Sequence, residues 1–266
     1  MHPLTLTMCQ APNAEPTCRA IAHTLGQRLG QPVRFVDDIP WPERLAGLES
    51  GEIDIGWVCG AYYVDWADRP DPTIELLAAP VMLGDRYADR PVYFSDVVVA
   101  AASPYRRFDD LRRARWAFNE PGSHSGHGVV RYHLATVGET WDYFACALAS
   151  GAHQRSLQMI LAGEIDASAI DSTVLETELR QQPDLAARIR VIAALGPSPI
   201  PPWIIQRRLP AELRDQLRRL FATMHHDPAG RALLSAGQMA RFAAVSDRDY
   251  DEIRRMQKLA EAIEQR

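Results

Sequence analysis

The chain reads as an α/β protein built from two similar halves. Three observations point there. Short apolar runs suited to strands alternate with amphipathic runs suited to helices, the pattern of βαβ units around largely parallel sheets. A block near the start recurs in the second half: "LAGLESGEIDIGWV" (Leu45–Val58) aligns with "LQMILAGEIDASAI" (Leu157–Ile170). The length, 266 residues, accommodates two lobes of about 100–150 residues each.

The elements follow in order. Leu4–Thr7 is a first strand. Cys18, Ile21, Leu25 and Leu29 have helical spacing, with Pro16 near the helix start and Gly30 at its stop. Val33–Val36 is a strand, Pro42–Glu49 a helix and Ile53–Val58 a third strand. In the second half Trp116–Asn119 is a strand, Gly126–Val137 a helix, Tyr143–Cys146 a strand, Gln154–Leu161 a helix and Ala167–Ile170 a strand. Val191–Ala194 and Trp203–Gln206 are later strands. Helices at Ala211–Met224, Ala229–Ala236 and Asp247–Gln265 close the chain. Ser246 and Asp249 form a capping-box pattern ahead of Ile253, Met256, Leu259 and Ile263, whose spacing marks a core-facing stripe. In the recurring block a glycine suited to a left-handed helix stop precedes Glu-Ile-Asp and a strand. Such joints occur throughout α/β folds, so the echo alone leaves duplication of a lobe open.

Composition excludes several classes. Hydrophobic residues make up 47% and charged residues 24% of the chain, which suits a packed protein and not a disordered one. The formal charge is −5 with both signs interspersed, so no basic stripe for nucleic acid is present. The longest apolar run, Val97–Ala102, falls far short of the ~20 residues of a membrane span. The start, "MHPLTLTMCQAPNAEP", lacks a basic segment followed by a long apolar one. As the sequence stands, the expected location is cytoplasmic, or periplasmic if a signal was removed. Cys9, Cys18, Cys59 and Cys146 include no CxxC pair, so reduced thiols are expected, with a Cys9–Cys18 disulfide left open.

The stretch richest in chemistry is "FNEPGSHSGHGVV", Phe118–Val130. It is not a nucleophile elbow, because His124 occupies the centre of "GSHSG" and the serines flank it. It is not a Walker loop, because no lysine follows the glycines. His124, His127, His133 and His153 are half of the eight histidines, yet no nearby acid or thiol completes a metal set. An oxyanion cradle fits the composition. Glycines let backbone N–H groups converge, a helix start adds positive potential, and Ser123 and Ser125 add hydroxyl donors. The same serines would serve equally as helix caps.

The run "PVYFSDVVVAAASPYRRFDDLRRARWAFNEPGSHSG" resembles the periplasmic phosphonate-binding proteins of ABC transporters, in which a Tyr-x-Ser hinge strand precedes a "DL-(K/R)-G" helix and a Ser-Thr-Ser-Gly loop. "ALASGAHQRSLQMILAGEIDASAIDSTVLE" is similar to that family's "SGSH…G-x-x-D-A…D-S" block, and "LGPSPIPPWIIQRRLP" to its "SPIP" return segment. "LAGLESGEIDIGWVCGAYYV" is similar to its first-lobe block with a G-P-x-x-Y turn. The resemblance covers nearly the whole chain in family order. It implies a type 2 periplasmic-binding fold, with two α/β lobes of mixed, mainly parallel sheet joined by hinge strands. Residues 1–94 with 196–266 would form the first lobe and 95–195 the second.

The same resemblance implies a non-catalytic solute-binding protein for a small phosphonate, phosphate or phosphite, captured between the lobes for ABC-type uptake or sensing. Tyr93 would donate to the anion, Ser123, His124 and Ser125 would form the cradle, and His153 would reach the same group. Asp171 would face the ligand's other end, and Tyr62 would wall the cleft. Each position has a structural competitor: strand-face packing for Tyr93 and Tyr62, helix capping for His153 and Asp171. No cofactor or metal is implied. The partners would be the oxyanion and an ABC permease or a sensor, with the chain acting as a monomer. Two departures stand out. His124 replaces the family's threonine and would add positive charge below about pH 6.5, and Cys59-Gly60 replaces Gly-Pro. The alternative is a cytoplasmic enzyme on the same fold that acts on a small anionic metabolite and uses Cys59, His124, His127 and His153.

Overall fold

The computed structural model describes residues 3–265. The chain runs through β1 (Leu4–Met8), α1 (Glu15–Leu29), β2 (Val33–Phe35), α2 (Trp41–Ser50), β3 (Ile55–Trp57), α3 (Gly60–Ala67) and β4 (Ile74–Met82). It continues with β5 (Val92–Ala100), β6 (Arg115–Phe118), α4 (Val129–Thr136), β7 (Cys146–Ala149), α5 (His153–Leu161), β8 (Ala167–Asp171), α6 (Ser172–Gln181) and α7 (Leu185–Arg188). It ends with β9 (Ile189–Pro199), β10 (Trp203–Gln206), α8 (Ala211–Thr223), α9 (Pro228–Ala236), β11 (Met239–Ala243) and α10 (Asp251–Glu264). Two compact units result: Met1–Val92 with Pro199–Tyr250, and Tyr93–Ser198 with Asp251–Arg266.

The first unit holds a six-stranded sheet in the order β11-β4-β10-β3-β1-β2. β1 runs parallel to β2 and β3, while β10 runs antiparallel to β3 and β4. α1 forms because Cys18, Ile21, Ala22 and Leu25 fall on one buried face, Pro16 sits in its first turn, and Gly30 ends it at φ 66°. Trp203 lies opposite Trp57 across the β10–β3 ladder, and the two rings stack with centroids 5.7 Å apart. Asp54 is buried at the entry to β3, where it accepts from the Thr5 backbone N–H at 2.8 Å and the Thr5 hydroxyl at 2.9 Å. β4 and β11 have no counterpart among the sequence-based elements. β4 is apolar with little alternation because most of the strand is buried, and it tolerates Pro80 because that residue lies in the part of the strand that pairs with β11 and not with β10.

The second unit holds a five-stranded sheet in the order β7-β6-β8-β5-β9. β6 is parallel to β7 and β8, and β5 is antiparallel to β8 with Ser95 opposite Asp171 and Val97 opposite Ala169. Val97, Val99, Trp116, Ala167 and Ala169 form a core with Val129, Val130 and Leu134 of α4 and Met256 of α10. The order β8-β6-β7 repeats the β3-β1-β2 order of the first unit, and in both an antiparallel strand follows the third parallel one. The aligned blocks sit at equivalent places, with Gly51 and Gly163 both left-handed at φ 82° and 70°. The echo therefore marks a repeated topology.

Several boundaries differ from expectation. Residues 124–128 form a π-type turn before α4 begins at Val129, so the expected helix starts later. The strand expected over Tyr143–Cys146 begins only at Cys146, because Tyr143 and Phe144 are plugged into the core. Phe144 stacks on Trp116 at 4.6 Å, and the Tyr143 hydroxyl donates to the Asp109 carbonyl at 3.0 Å. The last helix was expected in the first lobe. Instead α10 packs on α4 and belongs to the second unit, because Ile253, Met256 and Ala260 supply its buried face. None of the four cysteines is in a disulfide, Cys9 and Cys18 included.

Candidate oxyanion cradle in the second unit

The site is built where β6 gives way to α4 and where β7 gives way to α5. After β6 the chain turns through Asn119–Gly122, and Ser123 caps the π-type turn, its Oγ accepting from the Gly126 N–H at 3.2 Å. Gly126 has no alternative here: a Cβ on it would lie 2.1 Å from Asn119 Oδ1. Ser123 Oγ lies 3.2 Å from Ser125 Oγ, and Ser125 Oγ lies 3.0 Å from His153 Nε2. The chain thus runs Gly126 N–H, Ser123, Ser125, His153, and all three side chains are about 5% exposed.

His153 is the first residue of α5, whose N-cap, Ala152, offers no side-chain cap. The preceding loop is pinned by backbone bonds from Ser150 to the Phe118 carbonyl and from Gly151 to the Asn119 carbonyl, each 2.8 Å. Ser150 Oγ also bonds Ser156 Oγ at 2.7 Å and donates to the Ala152 carbonyl at 3.0 Å. That network fixes where His153 stands. Its Nδ1 is buried with no hydrogen-bond partner among the described residues.

His124 points the other way along the turn. Its Nε2 lies 3.1 Å from Ser198 Oγ at the end of β9, and its ring meets Tyr93 of β5 edge-on at 6.5 Å. β9 reaches this position because Gly196, at φ 117°, carries no Cβ that would press on the Ser198 nitrogen and the Tyr93 carbonyl. Ser95, two residues along β5, has a buried hydroxyl with no partner. Burial pushes both His124 and His153 down to about 4, with the Glu252 carboxylate opposing the effect at His124. Both imidazoles are therefore neutral near pH 7.

Of the residues expected at the site, the second unit brings together Tyr93, Ser123, His124, Ser125 and His153. Asp171 ends β8 and caps α6: its Oδ1 accepts from the Thr173 N–H at 2.8 Å and the Thr173 hydroxyl at 2.7 Å. Burial raises its pKa to about 6, against the effect of those bonds. Tyr62 belongs to the first unit, on α3, with its ring 6.3 Å from Trp41 and 6.1 Å from Trp66. His127 is a packing residue, stacked on Trp141 at 5.1 Å and beside Phe118 at 4.7 Å. His133 sits against Phe108 at 4.2 Å. No cluster of three or more metal-ligating groups occurs among the described residues. Ser198 and Ser150 went unnoticed in the sequence, although the first lies in the "SPIP" segment and the second directly precedes the Gly-Ala-His turn.

Chemically, the chain of hydroxyls has one sense when it serves an anion. A hydroxyl that donates outward must itself be donated to or left free, so His153 Nε2–H donates to Ser125 Oγ and the Ser125 hydroxyl donates to the guest. The Ser125–His153 pair also has nucleophile–base spacing. It lacks the third member of a triad, because nothing holds Nδ1, and an imidazole at about 4 is a weak base at neutral pH.

The family model for the ABC transporter, phosphonate, periplasmic substrate-binding protein matches residues 7–250. The chain belongs to this family. Within it, the chain is 21% identical over 169 residues to the probable ABC transporter phosphite binding protein PhnD1 of Prochlorococcus marinus (strain MIT 9301). That match takes in 63% of this chain and 56% of the relative, so it spans little more than half of that protein's length. The fold is shared with a binding protein component of an ABC phosphonate transporter from Pseudomonas aeruginosa: TM-score 0.86 and 18% identity, covering 99% of this chain and 88% of that one. It is shared also with PhnD1 from Prochlorococcus marinus in complex with methylphosphonate: TM-score 0.82 and 18% identity, covering 96% and 97%. The phosphonate-binding family thus accounts for the α/β architecture and for the repeated sheet order. No helix among the described residues is long and apolar enough to cross a membrane.

Proposed function

We propose that this member of the family is the solute-capturing component of an ABC-type importer, binding a small phosphonate-, phosphite- or phosphate-like oxyanion without altering it. The observation that carries the proposal is the buried Ser123–Ser125–His153 chain, set where two helical segments begin. Helix starts and neutral hydroxyl donors stabilise an oxyanion and release it again. Ser123 and Ser125 are the proposed ligand contacts, His153 reaches the ligand through the Ser125 hydroxyl that it orients, His124 shapes the turn through Ser198, and Tyr93 adds a donor from β5. Tyr62 is proposed as an aromatic contact from the first unit. Asp171 enters as the cap of α6 rather than as a ligand group. The relatives' names support the oxyanion class. The proposal further assigns capture to the periplasm, in keeping with the family's description, with the chain acting as a monomer that delivers to a permease. The enzyme alternative finds no support in the incomplete Ser125–His153 pair.

Thermal unfolding with methylphosphonate, phosphite, phosphate, 2-aminoethylphosphonate and sulfate tests the reading. An anion at 100 times its dissociation constant is expected to add about 2.7 kcal/mol of stability. Absence of any shift across this panel would remove the assignment.

A further inference from the structure

We propose that the cradle takes its oxyanion in the singly charged form, with one acidic hydrogen retained, and discriminates against the doubly ionised form of the same molecule. The inference rests on the oxyanion reading and deepens it.

The first ground is the donor inventory. Among the described residues, no guanidinium or ammonium group hydrogen-bonds to Ser123, Ser125, His153 or Ser198; their partners are hydroxyls, imidazoles and one backbone N–H. The positive potential comes from two helical starts, each equivalent to roughly half an elementary charge. Together they offset about one negative charge and not two.

The second ground is burial. Ser123, His124, Ser125, His153 and Ser198 are all 5% exposed or less. The solvation lost on burying an ion scales with the square of its charge, so a dianion loses about four times what a monoanion loses. A site without a fixed cation has nothing to offset that difference.

The third ground is the charge already nearby. Asp96 on β5 and Asp171 on β8 are buried carboxyl groups of the same sheet; burial, and to a lesser degree Asp96, raises Asp171 to about 6. From α10, Glu252 faces His124, and Arg255 is committed to Glu252 as an ion pair. Farther along the turn, Arg131 is committed to Glu264 and only disfavours charge on His127. Both arginines are thus engaged with carboxylates, Arg255 with Glu252 and Arg131 with Glu264. Both imidazoles of the cradle are uncharged at pH 7 on the values above.

Calorimetric titration of the full chain with methylphosphonate, phosphite and inorganic phosphate from pH 5.5 to 9 tests the proposal. Affinity is expected to fall about tenfold per pH unit above the second pKa of each probe, because the competent fraction falls at that rate. The break in the profile is expected to move from probe to probe with the probe's own second pKa. It is expected to persist in Asp171→Asn, which keeps a cap but removes the protein's titration near pH 6. Affinity that stays level or rises through the second pKa would overturn the charge-state proposal and leave the oxyanion reading standing. A break at one pH for every probe would assign the effect to a protein group and would likewise overturn the charge-state proposal alone. Failure of all three probes to bind at any pH would overturn the oxyanion reading and this inference with it.

Discussion

At position 124, burial overrides the usual acid–base behaviour of histidine. The expectation that this residue adds positive charge below about pH 6.5 does not fit a side chain 1% exposed whose pKa is pushed to about 4. His124 is then a neutral hydrogen-bonding partner of Ser198. The pH dependence of affinity is accordingly expected to be the same for wild type and His124→Thr between pH 6.5 and 8.5, as read by calorimetry. A steeper gain toward low pH in the wild type alone would show that the bound anion charges the imidazole. Ser125→Ala removes the hydroxyl linked to both Ser123 and His153. Loss of one hydrogen bond to a charged group is typically worth ~1.5–3 kcal/mol, so a roughly 10- to 150-fold weaker dissociation constant for methylphosphonate is expected. Gly126→Ala is expected to lower stability by ~1–3 kcal/mol, since the methyl group cannot coexist with Asn119 Oδ1 at 2.1 Å. Chemical denaturation reads that loss directly.

At the scale of elements, the legible ones had a clear period or punctuation. α1 carried its proline and glycine, α10 its capping pattern and stripe, and the strands of the repeated block their Glu-Ile-Asp entry. What stayed hidden was buried on all sides or bent out of pattern. β4 shows little alternation because almost no face of it meets water, and Tyr143 and Phe144 look like strand residues but act as core plugs. The cradle was half legible for a related reason. Glycine and serine density marks a turn, but only the fold brings Ser125 to His153 across 28 positions, or His124 to Ser198 across 74. The stripe on α10 was visible, whereas the unit it serves was not, because sequence period identifies a buried face without naming what covers it. Met256→Ala is expected to destabilise the second unit by ~2–5 kcal/mol, the usual loss for truncating a buried methionine. Hydrogen exchange should report the loss in α4 and β6, the neighbours of that side chain.

Across the whole molecule, acid sensitivity follows from which groups are held away from their ordinary pKa. In the second unit His124, His127 and His153 are each depressed to about 4. Between about pH 6.5 and 4 the unfolded chain takes up protons on these imidazoles that the folded chain refuses, so their contribution is present above pH 6.5 and lost as pH falls. Asp171, raised to about 6, and Glu120, raised to about 7, act in the opposite sense. Their protonated forms favour the folded state, and that contribution is lost as pH rises from about 4, the ordinary carboxyl value, up to the folded values of about 6 and 7. His133 and His225 are lowered as well, so the lowered histidines outnumber the two raised acids and net stability is expected to rise with pH between about 4.5 and 6. Denaturant melts at pH 4.5, 5.25 and 6 check the sign, and His153→Asn is expected to flatten the slope.

The path of the chain has a further consequence during synthesis. The second unit is discontinuous: after Tyr93–Ser198 comes Pro199–Tyr250, which belongs to the other unit, and only then α10, which completes the second core. In synthesis order, β10 to β11 therefore join the first unit before α10 can close the second one along α4. α10 acts as a latch on a unit whose other residues were all made earlier. Until then Val129, Val130 and Leu134 of α4 lack Met256, the α10 side chain that shares their core.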